Sequence, residues 1–284
     1  MKLDPQVFTL GIAFAGLLGG CDYVGHPLEE GNIGGPGEGV TRRVLLEDFT
    51  GHTCPNCPAA TAVALQLQAL YGEENLIIVG LHVTDAFALP GAPPFQTDFR
   101  TPAGDTYADP ANFNITFLPV GMVSRKEYNS SKLVSDGNWG SAVSDIIGQP
   151  ADADLWFDSF NYDSGTGQIT TTIKVVAIAN IDGDHNVTIY LTEDHIIAGQ
   201  VDNTQTPPII PDYDHRHVLR DNLNGTWGEL VIAGSANAGD TLTLSALRPL
   251  SSNVLEPDNC TLVAYLYKTT TDEILQVAEH KFVP

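Results

Sequence analysis

Val44-Leu45-Leu46-Glu47-Asp48-Phe49-Thr50-Gly51-His52-Thr53-Cys54-Pro55-Asn56-Cys57-Pro58-Ala59-Ala60 decides how the first half of this chain folds. Val44 to Phe49 has the apolar content and the length of a strand. Thr50-Gly51-His52-Thr53 reads as a turn. From Pro58 the chain runs through Ala62, Val63, Leu65, Leu67 and Leu70 with no breaker before Gly72. That predicts a helix, with Pro58 tolerated in its first turn. A Cys-x-x-Cys between strand and helix has a mechanical meaning. Unpaired N–H groups and the dipole at a helix start stabilise a thiolate on Cys54. Cys57, expected one turn inside and more buried, can close a short disulfide and release a mixed-disulfide partner. Cys54 is thus the expected nucleophile and Cys57 the expected resolving thiol.

Moving outward, residues 76–83 form a continuous apolar run, as a central strand buried on both faces would. Residues 86–112 are rich in Pro, Gly and Asp and predict an insertion with a short helix at most. Residues 115–123 predict a strand interrupted by Pro119. Trp139, Ala142, Val143, Ile146 and Ile147 share one face of a helix that Gly148 and Pro150 stop. After Pro150 the texture changes. Residues 155–160, 169–179, 187–197, 229–233, 241–247, 261–267 and 274–282 are strand-like, with hairpin turns at 163–167 and 182–184. Strands at this spacing predict a β-sandwich of immunoglobulin-like type. A chain of 284 residues suits two domains, each with its own core. An α/β domain over 41–149 and an all-β sandwich over 150–284 are therefore expected.

The N-terminus predicts export. Lys2 precedes an apolar stretch over 7–18, too short for a permanent membrane span. It ends in Leu18-Gly19-Gly20-Cys21, which resembles the lipobox of bacterial lipoproteins. That resemblance implies a signal peptide over 1–21, lipid on Cys21 and attachment to the membrane through it. Residues 22–40 read as a flexible, acidic, Gly-rich tether. The net charge of −22, from 35 acidic and 13 basic residues, repels phosphate backbones and argues against nucleic acid as a partner. The fourth cysteine, Cys260, opens an apolar run and is expected as a buried, inert thiol.

VLLEDFTGHTCPNCPAA resembles the first strand, active-site turn and helix start of the thioredoxin superfamily. The resemblance implies that Asp48 is a buried acid that moves protons at Cys57. It implies that Leu118-Pro119 is the cis-proline site beside the cysteines, where the Leu118 backbone meets an extended substrate. Thr53 stands where the superfamily usually has tryptophan, and with Leu118 it is expected at the substrate. Pro-Asn between the cysteines matches neither the Gly-Pro of reductants nor the Pro-His of strong oxidants. His215-Arg216-His217 through Gly228-Glu229, together with the cysteine segment, resembles the Omp28-related outer membrane lipoproteins. That implies an outer-membrane or surface address.

These readings predict a membrane-tethered thiol–disulfide oxidoreductase acting on exported thiol or disulfide proteins and needing no cofactor. Two alternatives stand beside it. One is a surface binding or adhesion lipoprotein whose Cys54–Cys57 disulfide is structural. The other is a copper carrier. Structural zinc ranks below both, since no second Cys-x-x-Cys or His pair lies nearby, although His52 and His82 are candidate ligands. His215 and His217 are weak metal candidates: at i, i+2 on a strand they would point the same way.

Overall fold

The structure is a computed structural model and describes residues 39–283. The expected signal peptide with Cys21, and the tether up to residue 38, lie outside the described residues. Strand β1 (Val44–Thr50) leads through the Cys54–Cys57 turn into helix α1 (Cys57–Tyr71), and β2 (Leu76–His82) returns parallel to β1. The insertion holds two short helices, α2 (Asp85–Ala88) and α3 (Pro102–Ala108). Strand β3 (Val120–Val123) pairs antiparallel with β1, and α4 (Asp136–Ser144) follows. The strand expected from residue 115 begins only at Val120, directly after the proline that lacks an N–H to pair.

The second half is β throughout. It comprises β4 (Ala153–Asp163), β5 (Gln168–Ala177), β6 (Ile181–Asp182), β7 (His185–Glu193), β8 (Ile196–Val201), β9 (Ile209–His215), β10 (Val218–Asn222), β11 (Glu229–Ile232), β12 (Ser235–Ala236), β13 (Thr241–Pro249), β14 (Cys260–Lys268) and β15 (Ile274–Lys281). The chain is mostly β, with a mixed principal sheet. Sequence reasoning places a boundary between residues 149 and 150, but the sheet crosses it. Its order is β15-β14-β7-β10-β2-β1-β3, with β11 also paired to β7. The joint is narrow: Val218 is the register partner of Gly80, and the Gly80 N–H donates to the His217 carbonyl at 2.8 Å. The physical reason is edge protection. Without β10, the apolar strand β2 would present an unpaired edge.

Alternation along β1 sorts its side chains to two faces. Val44 and Leu46 pack with Ala60, Ala64, Trp139 and Val143 beneath α1 and α4. Leu45 and Phe49 point the other way, into a core shared with Tyr190, Val263, Tyr265 and Val277 from the second half. A third core lies between the three-stranded sheet β13-β5-β4 and the β7–β14 end of the large sheet. Gly121, opposite Asp48 in the register, is needed for close approach. A Cβ there would meet Trp139 Nε1 at 2.7 Å. Among the described residues, no helix is long and apolar enough to cross a membrane.

Candidate functional site

Cys54 and Cys57 form a disulfide, with their Cα atoms 5.5 Å apart. Helix α1 begins at Cys57, so Cys57 stands at its first position rather than one turn inside, and Cys54 lies in the turn ahead of it. The expected contrast in burial is absent, because both cysteines are 1% exposed. What covers them is a hairpin, β8–β9, from the second half. Val201 N donates to the His52 carbonyl at 2.9 Å, and Asn203 N donates to the Pro55 carbonyl at 3.0 Å. Gln200 Nε2 donates to the Cys54 carbonyl at 3.2 Å, and Asn203 Nδ2 donates to Asn56 Oδ1 at 2.6 Å. The strands read from the sequence stop at 197 and resume at 229, which leaves Gln200 and Asn203 without a sequence signal. Their polar character alone carried no signal.

Asp48 is 2% exposed and faces α1 from the middle of β1. Thr61 Oγ1 donates to its Oδ2 at 3.3 Å, while Oδ1 has no partner. Burial pushes its carboxyl up to about 7, opposed by the hydrogen bond from the Thr61 hydroxyl. Asp48 and Cys57 line the same cavity, of about 30 Å³, together with Thr61, His82, Gln200 and His215. That volume is enough for a water molecule.

The remaining expected residues divide. The Leu118–Pro119 bond is cis. Val120 is the register partner of Phe49, which puts Pro119 at the same end of the sheet as the Cys54–Cys57 turn. Leu118 and Pro119 are both half-buried, and the neighbouring Phe117 is exposed. Thr53 is tied to the insertion: its N–H and its Oγ1 both donate to the Phe87 carbonyl, each at 3.1 Å.

The alternation expected to align His215 and His217 is broken. Strand β9 ends at His215, and His217 has φ 55°, which breaks the alternation that would have aligned the two rings. His215 turns inward against Phe99, with ring centroids 4.6 Å apart, and burial pushes its imidazole down to about 4. His217 instead meets Asp194, Nδ1 to Oδ1 at 3.3 Å. Among the described residues, no group of three or more His, Cys, Asp and Glu is placed to hold a metal ion. Cys260 is a free thiol, 1% exposed, and burial next to the Glu193 carboxylate pushes it up to about 12.

One buried ion pair escaped sequence reasoning, although Glu47 was visible as a charge in an apolar strand. Arg125 donates to Glu47 Oε2 at 2.8 Å and Oε1 at 2.7 Å, and to the Tyr190 and Tyr265 hydroxyls at 2.9 and 3.0 Å. Both charged side chains are fully buried. The rings of Tyr107, Phe113 and Tyr265 surround the guanidinium at 4.8, 5.0 and 5.2 Å. This network ties β1 to β7 and β14 and bears on folding rather than on the cysteines.

Fold and site together define a mostly β protein built around a mixed principal sheet, with a Cys-x-x-Cys disulfide at a strand-to-helix turn. Residues 106–283 match the family model of outer membrane protein Omp28, and the chain belongs to that family of outer membrane proteins. The matched residues begin beyond both cysteines. Among solved structures, HBP35 of Porphyromonas gingivalis shares the fold at 15% identity and a TM-score of 0.61, covering 85% of this chain and 75% of that one. A domain of the outer membrane lipoprotein Omp28 from Porphyromonas gingivalis is 25% identical over 47% of this chain and 98% of its own, with a TM-score of 0.30. No curated protein matches the chain.

Proposed function

We propose that this chain is a thiol–disulfide exchange protein of the outer membrane. Its first half is a thioredoxin-like unit, followed by immunoglobulin-like β-layers. The observation that carries the reading is the cavity shared by Asp48 and Cys57. A buried carboxyl with an unpartnered oxygen lowers stability, and a permanent staple has no use for one. An acid titrating near neutrality beside a thiol is suited to taking its proton.

In the reduced state the Cys54 thiolate attacks a partner disulfide. The Cys54 Sγ–partner sulfur bond forms, and the partner's other sulfur leaves as a thiolate that picks up a proton. Cys57 then passes its proton to Asp48, directly or through water, and its sulfur attacks Cys54 Sγ. The reduced partner departs and the Cys54–Cys57 disulfide closes. Two electrons have moved from the cysteine pair to the partner. With a dithiol partner the same steps run in reverse, and relative potentials set the direction. Leu118 and Pro119 border the substrate, and the partners are exported proteins with thiols or disulfides.

Cys57→Ser is expected to accumulate mixed disulfides through Cys54, because the resolving step is missing, whereas Cys54→Ser accumulates none. Non-reducing gels and mass spectrometry of complexes captured in the native compartment read this out. An empty Cys57→Ser lane would remove the reading. The burial of both cysteines favours a second reading, a surface-binding lipoprotein with a structural disulfide. An inert disulfide with a strongly negative potential would establish that one instead.

We also propose that lipid on Cys21 anchors the chain, on the strength of Leu18-Gly19-Gly20-Cys21. Membrane-extracted protein is expected to start at Cys21 with added acyl mass. A mature chain that retains earlier residues would refute it.

A further inference from the structure

The β8–β9 hairpin stands apart from the principal sheet as its own two-stranded unit. A hairpin alone is marginally stable in water. This one rests on a small buried cluster of Phe99, Ile196, Ala198 and Val218. Ile197 and Ile209 are left exposed. Elements held by so few buried contacts open at lower free energy than the core around them.

Its contact with the cysteine turn is made by the backbone where β8 ends and the hairpin's own turn begins. Val201 and Asn203 direct alternate N–H groups at the His52 and Pro55 carbonyls, while the Asp202 N–H between them turns back to the Pro208 carbonyl at 2.7 Å. An extended peptide also turns alternate N–H groups to one side, and so could meet the same two carbonyls. Gln200 fixes the register from one side, through the Cys54 carbonyl and, at 3.4 Å, the Gly51 carbonyl. The approach is close on the far side too. A Cβ on Gly199 would lie 2.7 Å from the Pro94 ring, and the Gly199 N–H donates to the Pro94 carbonyl at 3.1 Å.

We infer that residues 200–203 hold the place of a partner strand, and that the His52 and Pro55 carbonyls form the docking edge for an extended, cysteine-bearing segment of another protein. This rests on the exchange reading above and names its partner class: loosely folded chains able to offer free N–H groups at alternate positions. A folded partner whose backbone is already paired cannot displace the hairpin. When the hairpin is displaced, a dithiol partner reaches the Cys54–Cys57 disulfide. Its first thiolate forms a bond to Cys54 Sγ, and Cys57 leaves and takes up a proton. Its second thiol then releases Cys54, so the partner is oxidised and the pair reduced.

The test uses the whole chain and fully reduced, unfolded ribonuclease A as the partner. Gln200→Ala/Asn203→Ala removes the side-chain contacts, and Asn203→Pro removes both the backbone donor and the amide. Asn203 is exposed and Gln200 is buried, so Asn203→Pro is the variant expected to keep the fold, and circular dichroism and thermal unfolding check both. Losing two or three ordinary hydrogen bonds predicts reduction of the disulfide faster on the order of tenfold. Faster exchange at the Val201 amide is expected alongside it. Reduction of the wild type at the variants' rate overturns the placeholder and leaves the exchange reading standing. A disulfide that stays inert while the Val201 amide exchanges faster overturns both. Equally fast reduction of the wild type by a folded dithiol protein overturns the partner class.

Discussion

Arg125→Ala is expected to lower stability by about 3–5 kcal/mol, the usual result of removing one member of a buried ion pair. The loss comes less from the vanished attraction than from what stays behind. Glu47 is 0% exposed, and its carboxylate would keep only the Tyr190 hydroxyl, at 2.8 Å. The ring cage of Tyr107, Phe113 and Tyr265 would be left around a cavity. A second variant separates these contributions. Glu47→Leu with Arg125→Met removes both charges and keeps the volume, and is expected to cost far less than the single change. Urea unfolding of the wild type and both variants reads this directly. A single change costing under about 1 kcal/mol would mean that the pair is not the joint between the halves. Because Tyr190 lies on β7 and Tyr265 on β14, the single change is also expected to loosen the second half, visible as faster amide exchange in both strands.

Asp48→Asn is expected to act in the opposite sense, and only above acidic pH. In the folded chain the Asp48 carboxyl titrates at about 7, against an ordinary value of 3.8. Below pH about 4 both states hold the proton, and Asp48 makes no pH-dependent difference. As pH rises from about 4 to 7, the unfolded chain releases the proton and the folded chain keeps it, so stability falls across that window. Above 7 both states are ionised, and the folded chain carries the full penalty. A shift of three units corresponds to roughly 4 kcal/mol. Asn is isosteric and never ionises. The variant is therefore expected to be more stable than the wild type at pH 8 by up to about that amount, and near parity at pH 4. Denaturant unfolding at pH 4, 6 and 8 tests it, and an advantage independent of pH would refute the assignment. Glu279, whose carboxyl burial also pushes to about 7, is unchanged between the two proteins and cancels in the comparison. A gain in stability with slower resolution at Cys57 would separate a proton-moving role from a structural one.

Much of the first half was legible because its signals are local. A strand-length stretch with four apolar residues in six, a Gly-containing turn and a breaker-free stretch after Pro58 each act within one element. The strand, the Cys54–Cys57 turn and the helix to Tyr71 stand where those signals put them. The apolar run at 76–83 was legible as a doubly buried strand, and it has neighbours on both sides, β1 and β10. The hairpin β8–β9 was not legible. Its strand Ile209–His215 contains Pro211 and four charged or titratable side chains, a composition that locally argues for a loop. The hairpin is tolerated there because it is a two-stranded unit with a free edge.

Local sequence is enough for the chemistry of the turn: a cysteine pair between strand and helix, and an acid six residues ahead of it. Period-two alternation fixed which face of β1 carries Asp48 and which carries Glu47. Long-range packing settles that the two halves share one sheet, that both cysteines are covered, and that the backbone alternation between His215 and His217 is broken. These outcomes depend on contacts between residues far apart in the chain, such as Val201 with His52 and Arg125 with Tyr265. The burial that raises the Asp48 carboxyl belongs to the same class. The aspartate can be read in the sequence, but its environment comes from α1, β2 and the hairpin closing around it, and desolvation is a property of that enclosure rather than of the residue.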